Sequence, residues 1–532
     1  MVTLEEANRL LSKPFDDSND LPDRSQSAYR SLQRFRLASD RPYQQQFGDM
    51  YFLRLAKIKP AVEKVAVEAF GDVIVAGEPP KQVDRVLDVR QGEFCWVAGT
   101  VYMDMPFKPS ILDDVSKDRL LSLPPDVKKY IPEDGDDDLL AEGRGSVSVM
   151  LEDESGRIRL VGKALRSVLL VTGCIAAVMG TENENGELEV LDIVFPDLPP
   201  QPARWELSGP PTGDEAEKQP PTKRVKVEEE DDDDDLDMDD DGHTDHKQTQ
   251  RSSSSSGNKI AIVSGLRFSG PHGAAAVETA LLLEYLLGEA LSPASQRAAA
   301  RISRLIVAGN SIVAAPVAAA AGERQPTKKY GYDSSTYDPV PSAMLDEFLA
   351  QLLPSMPVTL MPGPDDPSNA SIPQQPVHAA MFPQARAFST ANETAAEPGS
   401  LDAVTNPWEG EVAGWRILGT SGQTLDDMQR YVQSSDRLGM MEATCRWRCC
   451  APTAPDTLWS YPFQEDDPFV MDACPHVYFA GSQPEFGTRL ISGPDGQEVR
   501  LVAVPSFSES PEIALVDTDT LEVTRVKIGR SE

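Results

Sequence analysis

Apolar positions follow two different periods in the two halves of this chain. In the first half, Val147, Val149 and Leu151 recur at every second position, Asp153-Glu154-Ser155-Gly156 turns the chain, and Ile158 and Leu160 resume the period. A period of two predicts half-buried strands joined in a hairpin. A second hairpin is predicted where VTGCIAAVMG gives way to TENENGELEVLDIVF, because Asn185-Gly186 is a strong short-range turn signal. The run Phe94–Met103 adds another strand, for about five strands with no helix between them. In the second half, a Leu-rich helix is expected over Ala274–Leu291. Leu345, Phe348, Leu349 and Leu352 recur at i, i+3, i+4 and i+7 before Pro354 ends the segment. That stripe reads as core, and a β-rich stretch from Val470 to Ile528 completes the half.

Five strands in succession predict a small closed barrel of the oligonucleotide/oligosaccharide-binding (OB) kind, which does not by itself establish nucleic-acid binding. Strands alternating with helices predict a sheet covered by helices. The fold class expected is therefore a multidomain α+β protein. Residues 1–40 are assigned to a helical amino-terminal extension, 41–200 to the OB-fold domain, 201–257 to a disordered acidic linker and 258–532 to the α/β domain.

Composition explains the linker. It is rich in Pro, acidic residues and Ser, and ends in RSSSSSG, so it cannot bury a core. The net charge of the 532-residue chain is −35; twelve of the negatives lie in Glu228–Asp241, leaving −23 elsewhere. Nucleic-acid binding draws most of its affinity from neutralised phosphates, so a chain this acidic is a poor candidate for tight autonomous DNA contact, although a local basic groove is compatible with it. Within the linker, Lys223, Arg224 and Lys226 form a compact basic cluster that reads as a nuclear import signal, placing the protein in the nucleus. No apolar segment follows Met1, and the apolar run Ile312–Ala321 is short and broken by Pro316, so no membrane association is expected. Cys445, Cys449, Cys450 and Cys474 lack paired knuckle spacing and read as buried thiols.

The candidate chemistry lies where apolar strands end in glycine-containing turns, the place where α/β sandwich enzymes carry ligands. KIAIVSGLRF has Gly265 and Arg267 where a two-metal phosphoesterase would carry Asp and His. In RLIVAGN, Asn310 follows Gly309 in place of a bridging Asp. In VTLMPGPDDPSN, Gly363 is followed by Pro364, Asp365 and Asp366 in place of Asn-His-Asp. In HVYFAGSQP, Gly481 is followed by Ser482, Gln483 and Pro484 in place of two imidazoles. Two-metal centres hold ions about 3.5–4 Å apart with several imidazoles. This chain has five histidines; His243 and His246 fall in the acidic stretch, His272 in a Gly/Pro-rich loop, and His378 and His476 read as structural or surface residues. No catalytic residue, metal or cofactor is expected. The alternative is an active metal-dependent phosphoesterase or nuclease using Asp365, Asp366 and Asn310, with Arg267 on a phosphate. A histone-binding role for the acidic tract is a further, subsidiary reading.

On FCWVAGTVYMDMPFKPSILDDVS, VMLEDESGRIRLVG, IVSGL, MPGPDDPSN, IPQQPVH, LGTSGQTLDDM, APTAPDTLWSYPF and CPHVYFAGSQPEFG, the chain resembles the B-subunit family of the replicative DNA polymerases, its delta branch most closely. The resemblance covers nearly everything except the amino terminus and the acidic linker. It implies an OB-fold barrel joined to an inactive calcineurin-like phosphoesterase sandwich. It also implies a scaffold for replication and repair, with one surface for the cysteine-rich carboxyl-terminal domain of the polymerase delta catalytic subunit. Another surface would hold an elongated accessory subunit that contacts the sliding clamp. The acidic insert departs from the family pattern.

Overall fold

The computed structural model describes residues 23–38, 46–75, 77–108, 129–131, 147–204, 257–269, 276–289, 292–313, 339–389 and 399–529. The acidic tract, the basic cluster Lys223, Arg224 and Lys226, and His243, His246 and His272 lie outside them.

Over its described residues, 23–38, the amino-terminal extension departs from the expectation of helix. Its described part is extended and contains β1 (Tyr29–Leu32), which pairs antiparallel with a strand of the carboxyl-terminal half, Tyr29 opposite Val412. Its anchorage is long-range: Arg24 donates to Leu286 O at 2.6 Å and Ile302 O at 2.9 Å. Neither interaction leaves a periodic signal in the sequence.

Next comes α1 (Phe47–Phe70), a 24-residue helix that buries Met50, Leu55, Ile58, Val62, Ala66 and Phe70 on one face. It packs against a barrel of β2 (Lys81–Val83), β3 (Phe94–Asp104), β4 (Ser148–Glu152), β5 (Arg157–Val161), β6 (Ile175–Glu182) and β7 (Glu187–Val194). The order β2-β3-β4-β5-β7-β6 closes through a β3–β6 pairing, and only β2–β3 and β5–β7 are parallel. Closure leaves the five main strands without an open edge, as an OB barrel requires. The predicted turns stand where expected: Leu151 faces Ile158 across the first hairpin, and Gly186 takes the left-handed conformation its turn needs, φ 76°.

The carboxyl-terminal half is built on two facing six-stranded sheets. One contains β8 (Lys259–Val263), β9 (Ile302–Ala308), β10 (Val358–Met361), β11 (Leu401–Ala403), β17 (Glu512–Asp517) and β18 (Val523–Lys527), in the order β11-β10-β9-β8-β17-β18. The other orders β1-β12-β13-β14-β16-β15, with β12 (Trp408–Val412), β13 (Trp415–Thr420), β14 (Val477–Gln483), β15 (Gly487–Ser492) and β16 (Glu498–Pro505). Strands β8, β9, β10 and β11 run parallel, as do β13, β14 and β16, and their near-continuous burial suits sheets covered on both faces.

Between the sheets, Ile260, Ile262, Ile306 and Met361 meet Trp408, Ile417, Phe479 and Val502 in one core. Outside the first sheet lie α2 (Ala276–Leu287), α3 (Pro293–Ala300) and α4 (Val340–Leu352), burying Leu282, Leu286, Leu345, Phe348, Leu349 and Leu352. The helix expected over Ala274–Leu291 therefore stops at Leu287, where Gly288 turns left-handed at φ 77°. Outside the second sheet lie α5 (Gln423–Tyr431) and α6 (Arg437–Arg446), and their core is continuous with that of the barrel. All six cysteines are buried free thiols. Among the described residues, no helix is long and apolar enough to cross a membrane.

Candidate functional site

The carboxyl ends of β8, β9, β10 and β14 converge at one corner of the sandwich, and the side chains singled out in the sequence meet there. The backbone after β8 and β9 is zipped together, with Gly265 N donating to Gly309 O at 2.9 Å and Arg267 N to Asn310 O at 3.1 Å. Arg267, Asn310 and Ser482 share a left-handed backbone, φ 49°, 53° and 53°. For non-glycine residues this is an uncommon conformation that surrounding contacts must hold in place.

Those of Asn310 and Ser482 are neutral. Asn310 Nδ2 donates to Ser482 Oγ at 3.0 Å, Ser482 N donates to Ser264 Oγ at 2.9 Å, and Ser264 Oγ donates to Ala308 O at 2.7 Å. Asn310 Oδ1 accepts from Asp365 N at 3.1 Å, so one amide ties the ends of β9, β10 and β14. The glycines permit the approach: a Cβ on Gly309 would stand 2.5 Å from Ser421 Cβ, and one on Gly363 would collide with the Asn310 backbone nitrogen.

The two carboxylates are engaged differently. Asp365 is part-exposed and pairs with Arg267 at 2.9 Å. Asp366 is buried, and its two oxygens accept from Gly363 N at 2.7 Å and Ile312 N at 2.8 Å. Burial pushes its carboxyl up to about 7, against the pull of those amides. Pro364 and Pro484 are exposed at the rim. Divalent ions need anionic oxygens or imidazoles free to point at a common centre. Here the inward oxygens are already accepting from backbone. Among the described residues, no group of three or more His, Cys, Asp or Glu side chains is placed to hold a metal ion.

A second polar network behind this corner carries no sequence signal. Asn406 Nδ2 donates to Gln374 Oε1 at 2.9 Å and to Ser421 Oγ at 2.6 Å, while Asn406 Oδ1 accepts from Ser421 N at 3.0 Å. Gln374 Nε2 donates on to Gly363 O at 3.1 Å. Satisfied on every side, such amides fix the loops around them. His476 is buried and His378 exposed, and their Nδ1 atoms accept from Arg416 N and Ala380 N, each at 3.1 Å.

Residues 46–193 match the family of the DNA polymerase delta subunit OB-fold domain, and residues 260–488 match the B-subunit family of DNA polymerases alpha and epsilon. The chain is 32% identical over 507 residues to a DNA polymerase delta small subunit of Arabidopsis thaliana, covering 95% of this chain and 96% of the relative. It is 31% identical over 517 residues to the DNA polymerase delta small subunit of Saccharomyces cerevisiae, covering 92% and 90%. To DNA polymerase delta subunit 2 of Drosophila melanogaster it is 32% identical over 512 residues, covering 96% and 99%.

Proposed function

The chain belongs to the DNA polymerase delta small-subunit family, and on that premise we propose that it is a non-catalytic scaffold of the polymerase delta complex, working in the nucleus in DNA replication and repair. As a subunit of that complex it partners other polymerase subunits. In the finer reading, it joins the cysteine-rich carboxyl-terminal domain of the catalytic subunit to an elongated accessory subunit that contacts the sliding clamp, and DNA is reached through the assembly.

The observation that carries the non-catalytic part is the Asn310–Ser482–Ser264 tie. In a calcineurin-like phosphoesterase, the ancestry we infer for the facing sheets, the ends of these strands would aim ligands at two ions. Here amides and hydroxyls bond to one another instead, and Asp366 is spent on backbone N–H groups. What two folded domains can still offer is surface.

Co-expression with the polymerase delta catalytic and accessory chains tests the scaffold: a stable complex of all three is expected, with the catalytic chain lost from the accessory chain when this subunit is left out. Elemental analysis and Mn²⁺-dependent hydrolysis of bis-p-nitrophenyl phosphate test inactivity. Two bound metals per chain, with hydrolysis that disappears in Asp365→Ala and Asp366→Ala variants, would overturn it in favour of an active phosphoesterase.

A further inference from the structure

Strand β3 ends at Asp104 and β4 begins at Ser148. Between them the barrel's chain reaches α5 of the carboxyl-terminal half twice, through Lys108 and through Tyr130 with Ile131. Residues 109–128 and 132–146 lie outside the described residues. Tyr130 and Ile131 are 1% and 6% exposed and share one buried core with Leu425, Met428 and Tyr431 of α5. The Tyr130 ring stands edge-on to Tyr431, centroids 5.2 Å apart and planes at 90°, a preferred geometry for two aromatic rings.

Helix α5 needs what this contact supplies. It has nine residues, fewer than an isolated helix requires to be stable in water. Its first turn is tied from its own half, with Gln423 Nε2 donating to Gln374 Oε1 at 3.2 Å. The last carbonyls of a helix have no partner within it. Val432, which follows α5, is extended at φ −127°, in place of the left-handed glycine that commonly turns a chain back to bond them. The barrel fills that role: Tyr130 N donates to Arg430 O at 2.8 Å, and Lys129 Nζ donates to Val432 O at 3.5 Å. A cation is favoured at this end of a helix.

Lys108 reinforces the same point. Its nearly buried ammonium pairs with Asp456 and stands 5.8 Å from the centre of the Tyr431 ring. Tyr431 OH in turn donates to Asp456 Oδ2 at 3.1 Å. The tyrosine that ends α5 is therefore gripped from the barrel on its ring by Tyr130 and through Asp456 by Lys108.

We propose that Tyr130 and Ile131 form a clasp: the barrel supplies the carboxyl-terminal cap of α5, so that this helix is complete only while the two halves are engaged. A scaffold so clasped presents the surfaces of its two halves in one fixed relation.

Hydrogen exchange of the full-length chain, read by mass spectrometry of its proteolytic fragments, tests the clasp. In the native protein, the fragment that holds Tyr130 is expected to contain at least one amide exchanging about tenfold or more slower than in an unstructured chain, because Tyr130 N is bonded and buried. Tyr130→Ala/Ile131→Ala is expected to speed exchange across α5 about tenfold or more and to leave α4 at its native rate. Tyr130→Phe keeps the ring and the backbone N–H and loses only hydroxyl contacts to Asp427 and Arg430 of 3.4 and 3.5 Å, at the long limit for such bonds. It is expected to keep α5 protected. A native fragment without any slow amide would overturn the clasp, even where the double variant does not fold. Unchanged exchange of α5 in the double variant would overturn it too, as would equal acceleration of α4, which would make Tyr130 and Ile131 ordinary core instead of a local cap.

Discussion

Arg54 on the barrel's long helix and Asp467 in the carboxyl-terminal half form an ion pair, Nε to Oδ2 at 2.7 Å, with side chains only 5% and 0% exposed. Asp467 Oδ1 is also used, accepting from Phe469 N at 3.0 Å. The pair thus locks the two halves at a point water does not reach. Removing one partner strands the other charge, which costs about 3–5 kcal/mol, whereas replacing both by apolar residues often costs little. Asp467→Ala is expected to lower the unfolding free energy by about that amount in urea denaturation. Arg54→Met/Asp467→Leu is expected to recover most of the loss. Equal losses in the single and double variants would show that the pair's charges are not what matters at this seam.

Much of this fold is written in periodicity, because most strands and helices bury one face or both. Val149, Leu151, Ile158 and Leu160 are buried at every second position, and Leu345, Phe348, Leu349 and Leu352 at helical spacing. Strand β1 escapes such a reading. Four residues, YRSL, show no alternation, and their place is set by pairing with β12 and by the Tyr29 ring beneath the Arg304 guanidinium, 3.4 Å from centroid to Cζ. At the site, glycine-ended strands were legible because only glycine allows the close approach at Gly309 and Gly363. Asn406 and Gln374 were not, since two amides 32 residues apart acquire meaning only when the loops meet.

The basic cluster Lys223, Arg224 and Lys226 yields a prediction independent of the folded body. It is compact, and it is set in a composition that cannot bury it. Changing all three to Ala in a fluorescently tagged chain is expected to reduce nuclear accumulation several-fold when partner subunits are not co-expressed. Unchanged accumulation would assign import to another signal.

Asp366 predicts a pH dependence. Its folded carboxyl lies at about 7, against ~3.9 for an unfolded aspartate. Between those values the folded state keeps a proton that the unfolded state has released. The group's contribution is therefore full below about pH 4 and is lost as pH rises through about 7. The difference in unfolding free energy between the native protein and Asp366→Asn, followed from pH 5 to 8.5, is expected to fall by at most ~1.4 kcal/mol per unit and then level off. A flat difference curve would mean that the carboxylate stays ionised, held by the Gly363 and Ile312 amides.

The acidic segment leaves and rejoins the fold at one corner. Arg204 lies over the Trp415 ring at 4.5 Å, Trp415 Nε1 donates to Thr518 O at 2.6 Å, and Thr518 N donates to Asn258 O at 2.8 Å. A short bridge can therefore span the gap without strain. Loop-closure entropy grows only with the logarithm of length, so replacing Gly209–Ser256 by about ten Gly/Ser residues is expected to raise stability by about 1 kcal/mol. It should also leave assembly with the other polymerase subunits nearly unchanged, because charges on a solvated chain are screened beyond about 8 Å at physiological salt. Both are read on the same preparation, by denaturation and by co-purification. If the shortened chain folds with the expected gain yet loses its partners, the acidic segment itself is a binding element, and the assignment of assembly to the folded body fails.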